Sequence, residues 1–480
     1  MQAYWTVPGR WENVVPEAGP VEMVEGRGGG ATAGAIPAAA VTYARGAGER
    51  SLRVNVVWAL GGNIASAASM YVLMVLLAKL ATAETVGIYG VAQAVGLPIS
   101  TLLSLKLQQV QVTDARRDYD FGHYFALKMI MSLIAAVIIA GVGLVSYPFE
   151  TAVVTALMGI GYGIVEVREI LMAVMQKAER MDRNAVSRTW LGLSALVFFG
   201  ACFWVTRSLT ASVLALVLSR LVVIACYDLP IARRLLAASP RHAGHSGVRP
   251  SWEWRRLAKL ARLAAPLGFV AGIGTLFMSI PRLTLDRYCG TDAVGYYTAI
   301  SAIITFGNML EGAIGQTISA RLARYFVENR RAFRILLLKA LGLSAALGLS
   351  GVALSALAGR QLLSILYTPA YGAHYMLFVE LALAGTMWFS FSTLNVGLVA
   401  TRRFGAQLPV YALAALACLI ASIVLVPRIG LHGAAWAMVS CHGIGLIGCA
   451  VALYWIARRP ALPAAVMPLP TPDREGQPDV

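Results

Sequence analysis

The sequence is poor in charged residues and in reactive cysteine patterns, and both shortages narrow what the chain can be. Charged residues make up 13% of its 480 positions, whereas about 25% is usual for a soluble domain. A compact globule must cover its exterior with groups that water tolerates, so this composition argues against a water-soluble protein. Five of the six cysteines fall inside apolar runs and none forms Cys-x-x-Cys, which favours buried, unreactive thiols. No lysine follows a glycine, so there is no Walker A loop, and the sequence predicts neither a cofactor nor a metal site.

The chain contains many long runs of apolar residues. Hydrophobic residues make up 58% of the chain, and a bilayer core of about 30 Å needs about 20 apolar residues for each helical span. Twelve runs meet this requirement, so the sequence predicts an all-α, polytopic membrane protein. The predicted spans are 54–78, 86–109, 124–146, 150–174, 188–206, 210–230, 263–285, 293–318, 334–358, 375–400, 408–426 and 432–456.

The basic residues predict the orientation of these spans. The chain has a net charge of +16, which in a membrane protein indicates basic cytoplasmic loops rather than a nucleic-acid partner. If the amino terminus is cytoplasmic, 32 of the 40 lysines and arginines lie in cytoplasmic segments and only six lie outside. This distribution predicts that both termini are cytoplasmic.

The spans divide into two groups of six around the longest cytoplasmic connection. That connection ends in a basic amphipathic segment, in which Leu257, Leu260 and Ala264 lie opposite four basic side chains, Arg255, Arg256, Lys259 and Arg262. Such a segment suits anionic lipid head groups, although it is equally consistent with an ordinary basic flank of a span. The predicted organisation is a disordered cytoplasmic tail (1–52), an amino-terminal bundle (53–236), a linker (237–260), a carboxyl-terminal bundle (261–457) and a second cytoplasmic tail (458–480).

The two halves contain a similar stretch at the same place in the topology. Residues 79–95 and 287–303 share Gly87/Gly295, Tyr89/Tyr297 and two further identities at an offset of 208. Each stretch joins the first span of its half to the second, and each half has six spans, so the halves face the same way. We therefore predict two six-helix bundles related by a parallel internal repeat.

These motifs resemble those of bacterial polysaccharide-biosynthesis flippases. LLAKLATAETVGIYGVAQAV is similar to the first hairpin of that family, although Ala81-Thr82 stands where the family usually has Leu-Gly. The segment around LDRYCGTDAVGYYTA resembles the seventh span, and VLVPRIGLHGAAWAMV resembles a motif near the carboxyl end. The family belongs to the multidrug/oligosaccharidyl-lipid/polysaccharide (MOP) exporter superfamily, and the resemblance covers roughly 53–457.

The resemblance implies a monomeric flippase of the bacterial cytoplasmic membrane. Its substrate would be an undecaprenyl-pyrophosphate-linked oligosaccharide, moved by alternating access of the two bundles, and its partners would include a polysaccharide polymerase and glycosyltransferases. One alternative is a cation-coupled multidrug antiporter of the same superfamily. Another is an integral-membrane glycosyltransferase or polymerase, for which Asp118-Tyr119-Asp120 offers an Asp-x-Asp motif.

Charges inside spans are costly and often mark a transport path, so they supply the candidate site residues. Arg168 and Arg220 are predicted to bind the diphosphate, with an ion pair to a glutamate on a neighbouring helix as the alternative for Arg168. Arg282 and Arg287, at the outer end of the seventh span, are further candidates for binding the head group, with snorkelling to the interface as the alternative. Asn63 and Gln93 are candidates for hydrogen bonds to sugar, with bridging of neighbouring helices as the alternative. Candidates for ion or proton coupling are Glu166, Glu169, Glu311 and His442, the last with a satisfied buried imidazole as the alternative.

Overall fold

The structure is a computed structural model that describes residues 52–114, 118–238, 248–401 and 406–458. Every regular element in these ranges is helical. The predicted tails lie outside the described residues, apart from Leu52 and Arg458. The elements are α1 (Leu52–Leu80), α2 (Ala83–Leu103), α3 (Leu107–Thr113), α4 (Phe121–Ser146), α5 (Phe149–Lys177), α6 (Met181–Thr206), α7 (Leu209–Val223), a π-helical turn (Ile224–Asp228), α8 (Leu229–Ala237), α9 (Trp254–Cys289), α10 (Thr291–Glu328), α11 (Arg330–Leu366), α12 (Pro369–Gly372), α13 (Tyr375–Ala400) and α14 (Gln407–Arg458).

All twelve predicted spans fall on helices. Within the described residues, nine helical segments are long and apolar enough to cross a membrane. One of them contains the last two predicted spans, which meet at Gly430, where φ is 57° and ψ is −127°. The fourth and eighth predicted spans are α5 and α10. The prediction of an all-α, multi-pass membrane protein is therefore confirmed.

Two helices are interrupted where the sequence showed only an apolar run. Leu105 and Lys106 have positive φ angles and separate α2 from α3. The π-helical turn Ile224–Asp228 lies between α7 and α8. Such turns are uncommon and shift the register of the side chains that follow, which here gives Asp228 a buried position.

Two glycines of the internal repeat bring α2 and α10 together at one end of the molecule. We call this end outer, after the orientation predicted from the basic residues. A Cβ atom on Gly87 would overlap the carbonyl oxygen of Thr291, and one on Gly295 would overlap that of Ala83. The contact is reciprocal, because each glycine faces the first turn of the opposite helix. The two halves are therefore in close contact at the outer end.

The amphipathic segment lies at the start of α9, which begins at Trp254 within the predicted linker. Leu257, Leu260 and Ala264 are buried, and the four basic side chains predicted on the opposite face are exposed. The buried face packs in a cluster that includes Leu107 and Tyr124 from the first half. The apolar face of this segment therefore packs against other helices of the protein.

Candidate functional site

A cavity of about 510 Å³ lies between the two halves of the molecule. Three helices of the first half and four of the second contribute to its wall. The lining side chains at the middle of these helices are a mixture of aliphatic, aromatic and polar groups. The polar and aromatic lining residues are Asn63, Ser66, Tyr71, Gln93, Arg188, Ser279, Arg282, Tyr297, Thr298, Ser301, Thr305, Asn308, Trp388 and His442.

The cavity wall carries positive charge. Arg188 and Arg282 both line it, and none of the described lining residues is an aspartate or a glutamate. Charges at this depth in a membrane are costly unless a partner or water compensates them. Two guanidinium groups that face a cavity without a carboxylate therefore favour an anionic ligand.

Each of these arginines is held by a neutral side chain. Arg282 lies one residue after Pro281 in α9 and donates through Nη2 to Oγ of Ser301 at 3.3 Å. Its Nε has no partner among the described residues. Arg188 donates through Nε to Oδ1 of Asn184, one turn earlier in α6, at 3.1 Å. Both guanidinium groups thus keep donors available for a ligand.

Arg220 is buried in the first half and does not line the cavity. Its Nε and Nη1 have no partner among the described residues. Its guanidinium carbon lies 6.0 Å from the ring centroid of Tyr162, and Nη1 fills the space that a Cβ on Gly161 would need, at 2.6 Å. Tyr89 and Tyr162 interact electrostatically with both Arg220 and Arg282. Arg220 is therefore a buried cation with free donors close to the cavity.

Arg168 lies elsewhere, in a buried ion pair. Its Nε donates to Oδ2 of Asp228 at 2.8 Å, and both side chains are almost completely buried. The hydroxyl of Ser187 accepts a hydrogen bond from Arg168 and donates one to Asp228. This geometry matches the alternative prediction for Arg168, an ion pair with a neighbouring helix, although the partner is Asp228 and not a glutamate. Arg168 is not among the residues that line the cavity.

The other predicted binding residues divide between the cavity and the surface. Asn63 and Gln93 line the cavity, as predicted for groups that contact the substrate. Arg287 is exposed near the outer end of α9. Of the predicted binding residues, the structure thus brings Asn63, Gln93 and Arg282 together.

The predicted coupling residues lie in four different surroundings. Glu166 accepts a hydrogen bond from Nζ of Lys128 at 2.6 Å, and Glu169 is half-buried on α5. Glu311 is buried and accepts from Oγ1 of Thr393 at 3.4 Å. Only His442 lines the cavity.

Sequence reasoning missed Arg188 as a site residue. It treated this arginine as a basic flank, because the fifth span was predicted to begin there. In the structure α6 begins at Met181, so Arg188 lies two turns inside the helix. The sequence did show polar residues just before it, namely Asp182, Asn184 and Ser187. In the structure these residues are buried in the first two turns of α6, so the helix begins before the predicted span.

The comparison with known protein families fits this fold and this cavity. Residues 52–326 match the polysaccharide biosynthesis protein family. The chain belongs to this family. This membrane protein of the polysaccharide biosynthesis family is 23% identical over 388 residues to the capsular polysaccharide biosynthesis protein CapF of Staphylococcus aureus, a match that covers 80% of the chain and 95% of CapF.

Solved structures of flippases and transporters have a similar fold. The lipid II flippase MurJ in an inward closed conformation gives a TM-score of 0.68 at 10% identity, over 83% of this chain and 87% of MurJ. An inward-facing multidrug resistance MATE family transporter of the MOP superfamily gives 0.57 at 15% identity, over 83% and 93% of the two chains. This member of the polysaccharide biosynthesis family therefore has the fold of MOP-type flippases and transporters.

Proposed function

We propose that the protein is a flippase that moves an undecaprenyl-pyrophosphate-linked oligosaccharide from the inner to the outer leaflet of the cytoplasmic membrane. The observation that carries the proposal is the cavity between the halves, with Arg188 and Arg282 in its wall and no acid among its described lining residues. A pyrophosphate diester carries two negative charges, which two arginines can neutralise through charge-assisted hydrogen bonds. The names of CapF and MurJ, a capsular polysaccharide biosynthesis protein and a lipid II flippase, support this substrate class.

The arrangement of the helices supports transport by alternating access. The halves are in close contact at the outer end, through Gly87 and Gly295, and enclose the cavity further in. The substrate head enters the cavity from the cytoplasmic side while its lipid tail stays in the bilayer. The halves then rock about the cavity and release the head outside.

The charge of the cavity also offers a role for the membrane potential. The empty cavity carries two positive charges, whereas the loaded cavity is close to neutral. An interior-negative potential therefore favours the inward return of the empty cavity, and each unit charge that crosses 100 mV contributes about 2.3 kcal/mol. Glu311 and His442 stay predictions as coupling groups.

A cation-coupled multidrug antiporter is the alternative function, and the cavity charge disfavours it. An amphipathic cation would be repelled by Arg188 and Arg282, with no described carboxylate in the wall to offset them. The MATE-like fold alone does not distinguish the two functions, because flippases and drug transporters share it.

The test is a flipping assay with the purified full chain in lipid vesicles. The vesicles contain undecaprenyl-pyrophosphate-linked N-acetylglucosamine, and the fraction in the outer leaflet is followed by lectin capture. We expect catalysed flipping by the wild type, and its loss in Arg188→Ala/Arg282→Ala. The matched control is Arg233→Ala/Arg360→Ala, because both of these arginines are exposed and absent from the cavity lining. Wild-type flipping by the cavity double variant would refute the proposal.

A further inference from the structure

The part of the cavity wall formed by the second half has hydrogen-bonding groups that no described residue uses. Nε2 of His442 and Oδ1 of Asn308 are buried atoms without a hydrogen-bond partner among the described residues. Both residues line the cavity. Buried polar atoms in folded proteins are nearly always hydrogen-bonded, so two unused groups in one wall indicate a polar ligand.

The hydrogen bond on the other ring nitrogen determines what His442 can offer. Nδ1 lies 2.9 Å from the carbonyl oxygen of Ala384, and a carbonyl oxygen only accepts, so Nδ1 carries the hydrogen. The side chain is 3% exposed, and burial of an unpaired charge is costly, which favours the neutral ring. Nε2 is then a hydrogen-bond acceptor without a donor among the described residues. It suits a hydroxyl or amide N–H of a ligand.

Trp388 places a large aromatic side chain beside this acceptor. The ring centroids of Trp388 and His442 are 5.1 Å apart. Phe391, at 5.6 Å, and Phe277, at 6.3 Å, pack against the same indole and fix its position. A pyranose ring has an apolar C–H face and hydroxyl groups around its edge. An indole with polar groups beside it matches both features.

The same helix connects this wall to the phosphate-binding arginine. Ser301 of α10 accepts the hydrogen bond from Arg282, and Asn308 follows two turns along the same helix, about 10 Å away along its axis. A sugar ring joined to a phosphate spans a distance of this order. One ligand can therefore contact Arg282 through its phosphate and Asn308 through its sugar.

We propose that Trp388, His442 and Asn308 form a subsite for the pyranose ring attached directly to the pyrophosphate. In this subsite the sugar packs on Trp388 and donates a hydroxyl or amide hydrogen to Nε2 of His442. The inference rests on the proposed function, because it assumes that Arg282 binds the adjoining phosphate. It adds that the protein distinguishes a glycosylated carrier lipid from the bare one.

The test measures binding of three lipids to the full chain in phosphatidylcholine nanodiscs. The probes are undecaprenol, undecaprenyl pyrophosphate and undecaprenyl-pyrophosphate-linked N-acetylglucosamine. We expect the wild type to bind the glycosylated pyrophosphate about tenfold more tightly than the bare one, from one aromatic contact and at least one hydrogen bond.

Two variants then distinguish the contribution of the sugar to binding from that of the pyrophosphate. Trp388→Ala and His442→Leu should each weaken binding of the glycosylated lipid about fivefold and change binding of undecaprenyl pyrophosphate less than twofold. Trp388→Phe, which keeps an aromatic ring, should retain most of the preference. Trp436→Ala is the matched control, since this tryptophan is exposed on α14 and absent from the cavity lining.

The outcomes separate this inference from the proposed function. Equal wild-type affinity for the two pyrophosphates, or a parallel loss of both in the variants, would overturn the sugar subsite and leave the flippase proposal standing. Wild-type affinity for both pyrophosphates no higher than that for undecaprenol would overturn the flippase proposal and the subsite with it.

Discussion

Two buried cations of the first half, Lys128 and Arg168, differ from the two arginines of the cavity in whether a carboxylate neutralises them. Lys128 and Arg168 are both almost completely buried and each contacts a carboxylate, Glu166 at 2.6 Å and Asp228 at 2.8 Å. Arg188 and Arg282 are half-buried and line the cavity, and they donate hydrogen bonds to the neutral side chains of Asn184 and Ser301. A cation within the membrane that is paired with a carboxylate needs no ligand. A cation without a carboxylate partner can be neutralised by an anionic ligand or hydrated by water.

In this comparison the role of a cation depends on whether it has a carboxylate partner, and not on whether it is a lysine or an arginine. The paired cations should matter mainly for folding, because their charge is already neutralised. The cavity arginines should matter mainly for transport, because the cavity gives them access to water and to a substrate. Four predictions test this division.

The largest expected effect is the loss of stability when Arg168 loses its carboxylate. Asp228→Leu leaves a buried charge with only the Ser187 hydroxyl for a partner, which should cost about 3–5 kcal/mol. Thermal unfolding in detergent and the yield of folded protein would show the loss. Arg168→Met/Asp228→Leu should recover most of it, because a neutral, apolar pair replaces the ion pair.

The control for this experiment is Glu150→Gln, which changes an exposed carboxylate in the first turn of α5. We expect it to unfold at the wild-type temperature. If Asp228→Leu also unfolds at the wild-type temperature, the ion pair is not a structural element and the comparison fails.

The second expected effect is a loss of transport without a matching loss of stability. Arg282→Met removes a charge-assisted donor from the cavity, worth about 1.5–3 kcal/mol to an anionic ligand, so flipping in vesicles should fall at least tenfold. Its unfolding temperature should stay close to that of the wild type, since no described carboxylate loses its partner. Arg168→Met should show the reverse pattern. A large loss of stability in Arg282→Met would contradict the assignment.

The third expected effect is a shift between conformations at the outer end. Gly87→Ala or Gly295→Ala places a methyl group on a carbonyl oxygen of the opposite helix, and overpacking of this kind costs about 1–3 kcal/mol. The variants should therefore separate α2 from α10 and favour states open to the outside. A cysteine-free chain with Ser301→Cys, inside the cavity, would then react faster with an impermeant maleimide added outside.

Gly342→Ala is the matched control for this measurement, because a Cβ there meets no heavy atom within 4 Å. Its labelling rate should equal that of the parent chain. Equal rates for Gly87→Ala and Gly342→Ala would show that the close contact at the outer end does not control access to the cavity.

The sequence was sufficient to predict the spans, and part of the site, from local signals. Apolar runs marked every long helix. Asn63, Gln93 and His442 were identified as polar groups inside runs and Arg282 as a charge at the outer end of the seventh span, and all four line the cavity. The sequence also separated the apolar side of the amphipathic segment from its basic side, and these sides are buried and exposed in the structure. The partner of the apolar side was not predicted, since nothing local indicates that Leu257 packs with residues of the first half such as Tyr124.

The remaining errors concern long-range pairing and helix starts. Arg168 and Asp228 are 60 residues apart, and Asp228 lies in the π-helical turn, which the apolar run did not predict. Arg188 was assigned to a flank because hydropathy falls over the polar first turns of α6, although those turns are helical and partly buried. Both errors arise because the burial of a charge depends on partners elsewhere in the chain. A single sequence does not show which residues form such pairs.

The smallest expected effect extends the comparison to the outer end, where two histidines differ in their partners. His432 contacts Oε2 of Glu380 at 2.7 Å. His374 packs on Tyr296, with ring centroids 4.4 Å apart, and burial together with the nearby His432 lowers its pKa below the usual 6.5. A lowered histidine pKa gives stability that is complete above pH 6.5 and is lost as the pH falls through the folded-state pKa.

His374→Gln should therefore reduce the fall in unfolding temperature between pH 7.5 and pH 5, since the variant has no imidazole to protonate at this position. The difference from the wild type should be about 2 °C or less, because a single partly exposed group is a small contribution in a chain of this size. At pH 7.5 the two proteins should differ only by the lost ring contact with Tyr296, so the comparison uses the fall in unfolding temperature from pH 7.5 to pH 5 within each protein. Identical pH profiles would show that protonation of His374 costs nothing, and that the contrast between paired and unpaired cations applies only within the membrane.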